Sequence, residues 1–468
     1  MSFFRHMLCQ GSDDGVDNLF ATASARDTSN VPVAHWDPSD EIPRGFKSHV
    51  QHFEFGITND SSVKFESMGA WANGTLQLSH AWSNELLQLQ QRSESDEKVC
   101  ATLTSDVKGH DSESMVRAQT MWPGWPWHWW SRKRQEVDEW PMRGNPDGLV
   151  VQIRVEARYN NDSLWKESNI IATCDDSLNV TLLVETPERL WDNSRKWSRL
   201  DFHTTVRTSS AVESLKLLSV QNSSSDSAPP QRHDWKVQGD VSLKNICFDR
   251  VDVRTKNSPI SFDYLEADDV DLATTNAFVR GKILGARVNI QTSNSSISGD
   301  FEGCEGLRVQ TTNASISGLY KVGESSDGVL LKTTNEAIRA QVEVFEQEDE
   351  KKIALRDPVK IEAQSTNASV NLDVVRSPPR AKIDWTVASS NGPLRLKYPA
   401  PFDGSFQVRT SNSSRTQVIA PGSHNIRYNF NTNSHKEGLM SSGLDPANRG
   451  NVRLVATTSN ASAELVVA

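Results

Sequence analysis

The densest group of side chains that could do chemistry is acidic and lies in DYLEADDVD, residues 263–271. Its carboxyl groups belong to Asp263, Glu266, Asp268, Asp269 and Asp271. Paired carboxyl groups hydrolyse glycosidic bonds, and clusters of them bind calcium. Neither a GGxGxD repeat nor the ligand spacing of an EF-hand accompanies these residues. We therefore predict a solvated connection between structural units rather than a catalytic or metal site.

A second candidate is aromatic. The stretch MWPGWPWHWWSRKRQ at residues 121–135 places tryptophans between prolines and ends in cations. Exposed indole rings suit contacts with sugars, lipid headgroups or protein partners, and the cations suit an anionic surface. The alternative is a proline-stiffened loop that packs its indoles on a β domain. The candidate contact residues are Trp122, Trp125, Trp127, Trp129 and Trp130.

Motifs for other chemistries are absent from the sequence. It contains no G-x-S-x-G, P-loop, dinucleotide-binding glycine fingerprint or HExxH. Its five cysteines form no zinc-ligand spacing, and His49 and His52 have no cysteine or carboxylate at a metal-ligand distance in sequence. We expect no catalytic residue, no cofactor and no metal, and so a protein that is not an enzyme.

Charge and hydropathy limit the partners. The net charge is -10, so no basic face dominates and nucleic acid is not an expected partner. The sequence contains no run of about 18 apolar residues, so it predicts no membrane-spanning helix. The first residues hold too short an apolar stretch for a signal peptide. These features do not indicate the cellular compartment of the protein.

The strongest regularity is a repeat built on [ST]-x-N in the second half of the chain. The residues four and six positions before each asparagine are apolar in all nine repeats, although only 36% of the chain is hydrophobic. Three positions after the asparagine, eight of nine are apolar again, with Arg415 as the exception. The apolar columns therefore indicate a real period. The asparagines are Asn257, Asn276, Asn294, Asn313, Asn335, Asn367, Asn391, Asn412 and Asn460.

The parity of these positions predicts the fold. Positions -6, -4, -2 and 0 share one face of a strand, and the odd offset to the next apolar residue requires a corner near the asparagine. A unit of about 20 residues cannot bury its apolar face alone, but stacked units can. We predict an all-β protein with a right-handed parallel β-solenoid at 241–468. Its corner asparagines should face inward and hydrogen-bond in a ladder.

The rest of the chain divides in two. Residues 1–45 predict a disordered tail, and 46–240 a smaller, mainly antiparallel β domain with the Trp/Pro-rich loop at 121–130. A turn-rich segment before Asn460 predicts a hairpin that covers the open end of the stack. An antiparallel meander with a hairpin at each asparagine is the alternative to the solenoid, but only Asn391 is followed by the glycine that such turns favour.

Five repeat asparagines complete an N-x-S/T sequon, which would make the protein a glycoprotein if it is secreted. A glycan does not fit on a stacked inward side chain. We therefore expect Asn161, Asn179 or Asn222 to be glycosylated before Asn294 or Asn313.

The units TKNSPIS, TTNAFVRG, TSNSSISG, TTNASISG, STNASV and SSNGPLRL resemble the adhesin-like β-repeat domains of uncharacterised bacterial and fungal proteins. The final HKEGLMSSG and VRLVATTSNASAELVV are similar to the end of the fungal type. The resemblance covers residues 241–468 and implies a β-repeat fold, a cell-surface or extracellular location and adhesion. It supplies no catalytic residue.

Together these features predict a non-enzymatic, adhesin-like binding or structural protein with a rigid β-repeat scaffold. Carbohydrate, another protein and a membrane surface are the candidate partners. A polysaccharide-acting β-helix enzyme and a self-assembling scaffold are the alternatives. The sequence does not indicate the oligomeric state.

Overall fold

The structure is a computed structural model that describes residues 46–69, 74–80, 149–187, 200–209, 211–223, 235–346, 357–412, 415–443 and 451–468. This described chain is nearly all β, and its 26 strands belong to one long, mostly parallel sheet that is not closed. The predicted disordered tail at 1–45 lies outside the described residues.

The strands before residue 240 form because apolar and polar residues alternate, so that every second side chain reaches the core. In VTLLVE at 180–185, for example, buried and half-buried residues alternate strictly. One short helix begins after Asn161, whose Oδ1 accepts from the backbone N–H of Ser163 at 2.9 Å. The elements are β1 (Lys47–Gly56), β2 (Ser62–Met68), β3 (Gly74–His80), β4 (Val150–Tyr159), α1 (Asp162–Lys166), β5 (Asn169–Cys174), β6 (Val180–Glu185), β7 (Leu200–Thr208), β8 (Ser214–Ser223) and β9 (Trp235–Gly239).

The pairing of these strands is mixed. β1 with β4, β4 with β7 and β5 with β6 are antiparallel. β2 pairs in parallel with β6 and β8, and β3 in parallel with β7 and β9. The prediction of a mainly antiparallel front half is therefore wrong, because alternation reports which face is buried and not the direction of the neighbouring strand. A separate domain at 46–240 stays a prediction.

A 3-10 helix at Val241–Asn245 leads into the repeats, where strands fill most of the described chain. They are β10 (Cys247–Arg254), β11 (Ile260–Ala273), β12 (Val279–Gln291), β13 (Ile297–Gln310), β14 (Ile316–Gly323), β15 (Val329–Lys332), β16 (Ile338–Phe345), β17 (Val359–Ser365), β18 (Val370–Arg376), β19 (Lys382–Ser389), β20 (Leu394–Tyr398), β21 (Gly404–Thr410), β22 (Thr416–Ile419), β23 (Asn425–Asn431), β24 (His435–Ser441), β25 (Asn451–Thr458) and β26 (Ala463–Val467).

The repeat strands form two parallel rows. Row 1 holds the segments that precede the nine asparagines, in the order β10, β11, β12, β13, β15, β17, β19, β25, β21. Row 2 holds the segments that follow them, in the order β11, β12, β13, β14, β16, β18, β20, β26, β22. β11, β12 and β13 are long enough to belong to both rows, so each carries the chain from row 2 into row 1.

The register places equivalent apolar residues side by side. In row 1 the position six residues before each asparagine forms one file, in spatial order Val251, Val270, Val288, Leu307, Val329, Ile361, Trp385, Leu454 and Phe406, and every member is buried. The residues four and two positions before each asparagine are buried as well. Row 2 begins with the buried residue three positions after the asparagine, except that Thr416 replaces the exposed Arg415. Both rows therefore face one apolar core.

Both rows incorporate the end of the described chain out of sequence order. β25 lies between β19 and β21, and β26 lies between β20 and β22. β23 and β24 form an antiparallel hairpin, and β24 pairs with β21. A hairpin thus covers the end of row 1, but its turn lies between Asn431 and His435 and not in the turn-rich 441–450 on which the prediction rested. Within the described residues, β22 pairs with β26 alone.

Candidate functional site

The nine repeat asparagines form one continuous hydrogen-bonded ladder. From Asn276 onward, each side-chain Nδ2 donates to the Oδ1 of its spatial neighbour, at 2.6 Å for five of the bonds, 2.7 Å from Asn367 to Asn335 and 2.9 Å from Asn391 to Asn367. Asn412 donates to Asn460 at the end of the series. The ladder follows the spatial order of the strands, because Asn460 lies between Asn391 and Asn412.

The ladder lies on the outside of the molecule. All nine asparagines are exposed, whereas the Thr or Ser two positions earlier is buried in every repeat. The prediction that the asparagines face inward is therefore wrong. The row 1 strand ends at the buried hydroxyl residue or one residue before it, and the chain bends before it reaches the asparagine. Strand parity no longer applies beyond that bend.

The bend is held on both of its sides. Outside, the backbone N–H groups of Thr275 and Asn276 both donate to the carbonyl of Lys256, at 3.1 and 2.8 Å, and the next four repeats along the chain copy this arrangement. Inside, the buried Thr292 hydroxyl donates to the carbonyl of Ala277 in the neighbouring repeat at 3.1 Å. These bonds satisfy polar groups at the turn and fix the direction of each asparagine side chain.

We call the ladder edge the nine asparagines together with the residue before and the residue after each one. Of these positions only Lys256 and Glu336 carry a charge, although 24% of the whole chain is charged. The others are Asn, Thr, Ser, Ala or Gly. Because neighbouring strands lie about 4.8 Å apart, the edge repeats amide and hydroxyl groups at that spacing. It is a long, polar surface that is uncharged apart from Lys256 and Glu336.

The outward position of the ladder asparagines affects which of them can carry a glycan. The ladder asparagines that complete sequons are exposed, so lack of space in a core no longer excludes a glycan there. Their Nδ2 atoms are the donors of the ladder. Asn179 is tied more closely, because its Nδ2 donates to Asp175 and its Oδ1 accepts from the N–H of Ser62. The expected order of glycosylation stays a prediction.

The acidic stretch at 263–271 is not the solvated connection that was predicted. Asp269 and Asp271 do lie at the surface and pair with Arg287 and Arg254. Glu266 is only 4% exposed. Its Oε2 accepts from the Tyr264 hydroxyl at 2.9 Å, and its buried Oε1 has no hydrogen-bond partner. The sequence signal failed because β11 continues through this stretch without a loop.

Three further residues join Glu266 in what we call the acidic corner: Tyr264, Glu302 and Cys304. The strand register runs from Glu266 through Leu284 to Glu302. Tyr264 lies where β11 has one residue more than β12, and Cys304 where β13 has one more. Such bulges re-aim side chains. They also hid the cluster, because Glu266 and Glu302 lie at different distances from their asparagines.

Burial dominates the electrostatics of the acidic corner. It raises the pKa of Glu266, and the charges of Glu302 and Asp268 add to the shift, while the hydrogen bond from Tyr264 opposes it. Burial also raises the pKa of Glu302, against the opposing charges of Lys321 and Lys282. Burial raises the pKa of Cys304 to about 12, and the charge of Glu302 makes the second-largest contribution to this rise. The corner therefore favours neutral side chains.

The other candidate residues add no site within the described part of the chain. The five tryptophans at 122–130 lie outside the described residues. His49 lies against Trp165, with the rings tilted by 42° and their centroids 4.8 Å apart, and His52 is exposed. In the part of the chain that the structure describes, no three His, Cys, Asp or Glu side chains are grouped to hold a metal ion. None of the described helices has the length and apolar character needed to cross a membrane.

Comparisons with known proteins give limited information. Residues 287–440 match the model of a family described as a domain of unknown function (DUF7330). No curated protein matches the sequence. A solved structure from Clostridium sporogenes, described as a "putative cell adhesion protein", is similar at 6% identity over 90% of this chain and 100% of that one, with a TM-score of 0.16. That likeness is too low to carry an argument. Neither match supports the fungal type or a repeat family.

Proposed function

We propose that this protein is a non-enzymatic, adhesin-like binding or structural protein whose repeats form a parallel β-solenoid. The observation that carries the proposal is the common order of the apolar files and the asparagine ladder through nine repeats. Nine strands at about 4.8 Å extend over roughly 38 Å. A scaffold of this kind keeps its shape because each repeat is fixed by its neighbours.

The ladder edge is the best-described contact surface for such a scaffold. Its amides and hydroxyls suit a neutral, hydrogen-bonding partner such as a carbohydrate chain. Its lack of charge argues against an anionic membrane surface as the partner of this edge. The tryptophan stretch at 121–135 is the second candidate contact, and its cations suit an anionic partner instead.

The two alternative functions have less support. Polysaccharide hydrolysis requires two carboxyl groups that a sugar chain can reach, whereas Glu266 is buried. Assembly through an open end requires an unpaired edge. The hairpin of β23 and β24 covers row 1 at this end, which leaves the four-residue β22 as the edge of row 2 in the described chain.

A glycan array and a lipid array with the whole chain test the proposal. Thr275→Lys together with Thr366→Lys adds two charges to the ladder edge, and Gln291→Lys adds one to the exposed face of row 1 as the control. Loss of carbohydrate binding in the first variant alone supports the ladder edge. If Trp127→Ala, Trp129→Ala and Trp130→Ala abolish binding instead, the contact lies in the tryptophan stretch. Binding to neither array would contradict an adhesive role.

A further inference from the structure

The acidic corner contains a carboxyl group that is buried without adequate compensation. Glu266 receives one hydrogen bond, from Tyr264, and its Oε1 is buried without a partner. A buried carboxylate is stable only when it is paired or fully hydrogen-bonded. A buried carboxylic acid is tolerated much better, because it is neutral. The packing therefore selects the protonated form of this side chain.

The charged groups around Glu266 do not supply a counter-ion. On β11 the nearest titratable groups are Tyr264 and Asp268, and on β13 they are Glu302 and Cys304. Cys247 of β10 precedes Phe248, the partner of Ala267, and so lies beside Glu266. Lys282 of β12 lies over the Tyr264 ring, 5.4 Å from its centroid.

The remaining elements packed on β11 are β9 and the 3-10 helix, which carry Lys236 and Lys244. Neither lysine is among the charges that act on Glu266, which come from Glu302 and Asp268. Both of those charges are negative when ionised. Loss of the proton from Glu266 therefore adds a negative charge to a buried site whose neighbours are already acidic.

We propose that the acidic corner is a proton-binding latch: it is closed while Glu266 holds its proton and opens locally when that proton is lost. The corner lies on β11 and β13, close to the 3-10 helix that leads into the repeats. Opening therefore loosens the first repeats, next to the strands of 46–240. This latch operates whether or not the protein is an adhesin.

The direction of the pH effect follows from linkage. The closed corner holds the Glu266 proton more tightly than the open corner, where the carboxyl has an ordinary pKa. Closure is therefore fully favoured below that ordinary value of about 4.3. As pH rises toward the higher pKa of the closed state, the opening constant increases about tenfold per pH unit, and it levels off above that pKa.

Hydrogen–deuterium exchange of the whole chain tests the latch. When exchange is limited by the opening equilibrium, amides elsewhere should speed up with a logarithmic slope of one per pH unit, from base catalysis alone. Amides at 263–268 should show a slope of two in the pH window between the ordinary pKa of Glu266 in the open corner and its raised pKa in the closed corner. Glu266→Gln should return that slope to one, whereas Glu305→Gln, at an exposed position of β13, should leave it at two.

Two more measurements keep the test decisive if Glu266→Gln does not fold. Glu302→Gln removes a neighbouring charge and should move the window to lower pH, while Tyr264→Phe removes the donor that favours the anion and should move it to higher pH. Alkylation of the buried Cys304, followed by peptide mapping, should accelerate across the same window. A slope of one at 263–268 in the unmodified chain, or an ordinary pKa for Glu266 by carboxyl NMR, would overturn the proposal.

Discussion

Replacing Asn313 with Ala tests the asparagine ladder directly. Asn313 Nδ2 donates to Asn294 at 2.6 Å, and Asn313 Oδ1 accepts from Asn335 at 2.6 Å. A typical intramolecular hydrogen bond contributes about 0.5–1.5 kcal/mol to stability. Loss of two such bonds should lower the free energy of unfolding by about 1–3 kcal/mol. The lower half of that range is expected, because water can reach the exposed partners.

Urea denaturation, followed by tryptophan fluorescence and circular dichroism, measures this change as a lower midpoint with an unchanged slope. Thr312→Ala is the matched control, because Thr312 is an exposed neighbour on the same bend. Its effect should stay within about 0.5 kcal/mol. Equal stability of Asn313→Ala and Thr312→Ala would refute the view that the ladder bonds stabilise the stack.

A double-mutant comparison separates the ladder from the individual side chains. Asn294→Ala and Asn313→Ala together remove three ladder bonds rather than four, because the two residues share one. Their effects should therefore fall short of additivity by about 0.5–1.5 kcal/mol, the value of one bond. Asn313 and Asn391 share no ladder bond, so the effects of Asn313→Ala and Asn391→Ala on the free energy of unfolding should be additive within about 0.5 kcal/mol. Additivity in both pairs would contradict the ladder.

Further predictions concern the core and a tight approach between strands. Tyr320→Phe should raise the free energy of unfolding by about 1–3 kcal/mol, because it removes a buried hydroxyl that has no partner. Tyr398→Phe should lower it by about 0.5–1.5 kcal/mol, since that hydroxyl bonds to Ser377 at 2.9 Å; denaturation curves check both, and equal signs would contradict the assignment. Gly299→Ala should destabilise by about 1–3 kcal/mol, because Gly299 has a φ of +149° and a Cβ there would overlap the carbonyl of Gly281. A melting temperature equal to that of the unmodified chain would contradict this reason.

The sequence allowed much of the repeat region to be predicted, because burial and register repeat with it. Val251, Val270 and Val288 stand in equivalent positions of three repeats and are neighbours in one file. The ladder itself was also predictable. Its direction was predicted wrongly, because the parity argument was extended two or three positions beyond the end of the strand. The hydroxyl residue beside each asparagine was the available signal, since two consecutive polar residues mark a bend.

Other features had no local signal. The neighbours of Glu266 are set by two bulges, and a bulge shifts the side chains that follow it without a mark in the hydrophobic pattern. The mixed pairing of β1 to β9 depends on contacts between distant segments, such as Val63 with Val180 and with Leu218. Alternation along each strand is the same for either partner, so the sequence could not distinguish them.

The position of the last two strands, β25 and β26, has a consequence for how the stack is completed. β21 and β22 do not pair with β19 and β20 in either row, since β25 and β26 separate them. During synthesis, residues 404–419 and the edges of β19 and β20 emerge before residues 451–467, which lie between them in both rows. The stack can therefore be finished only if those edges remain unoccupied until the final segment arrives. Once inserted, β25 and β26 are each paired with a strand on both sides, so neither can leave the sheet without breaking both sets of hydrogen bonds.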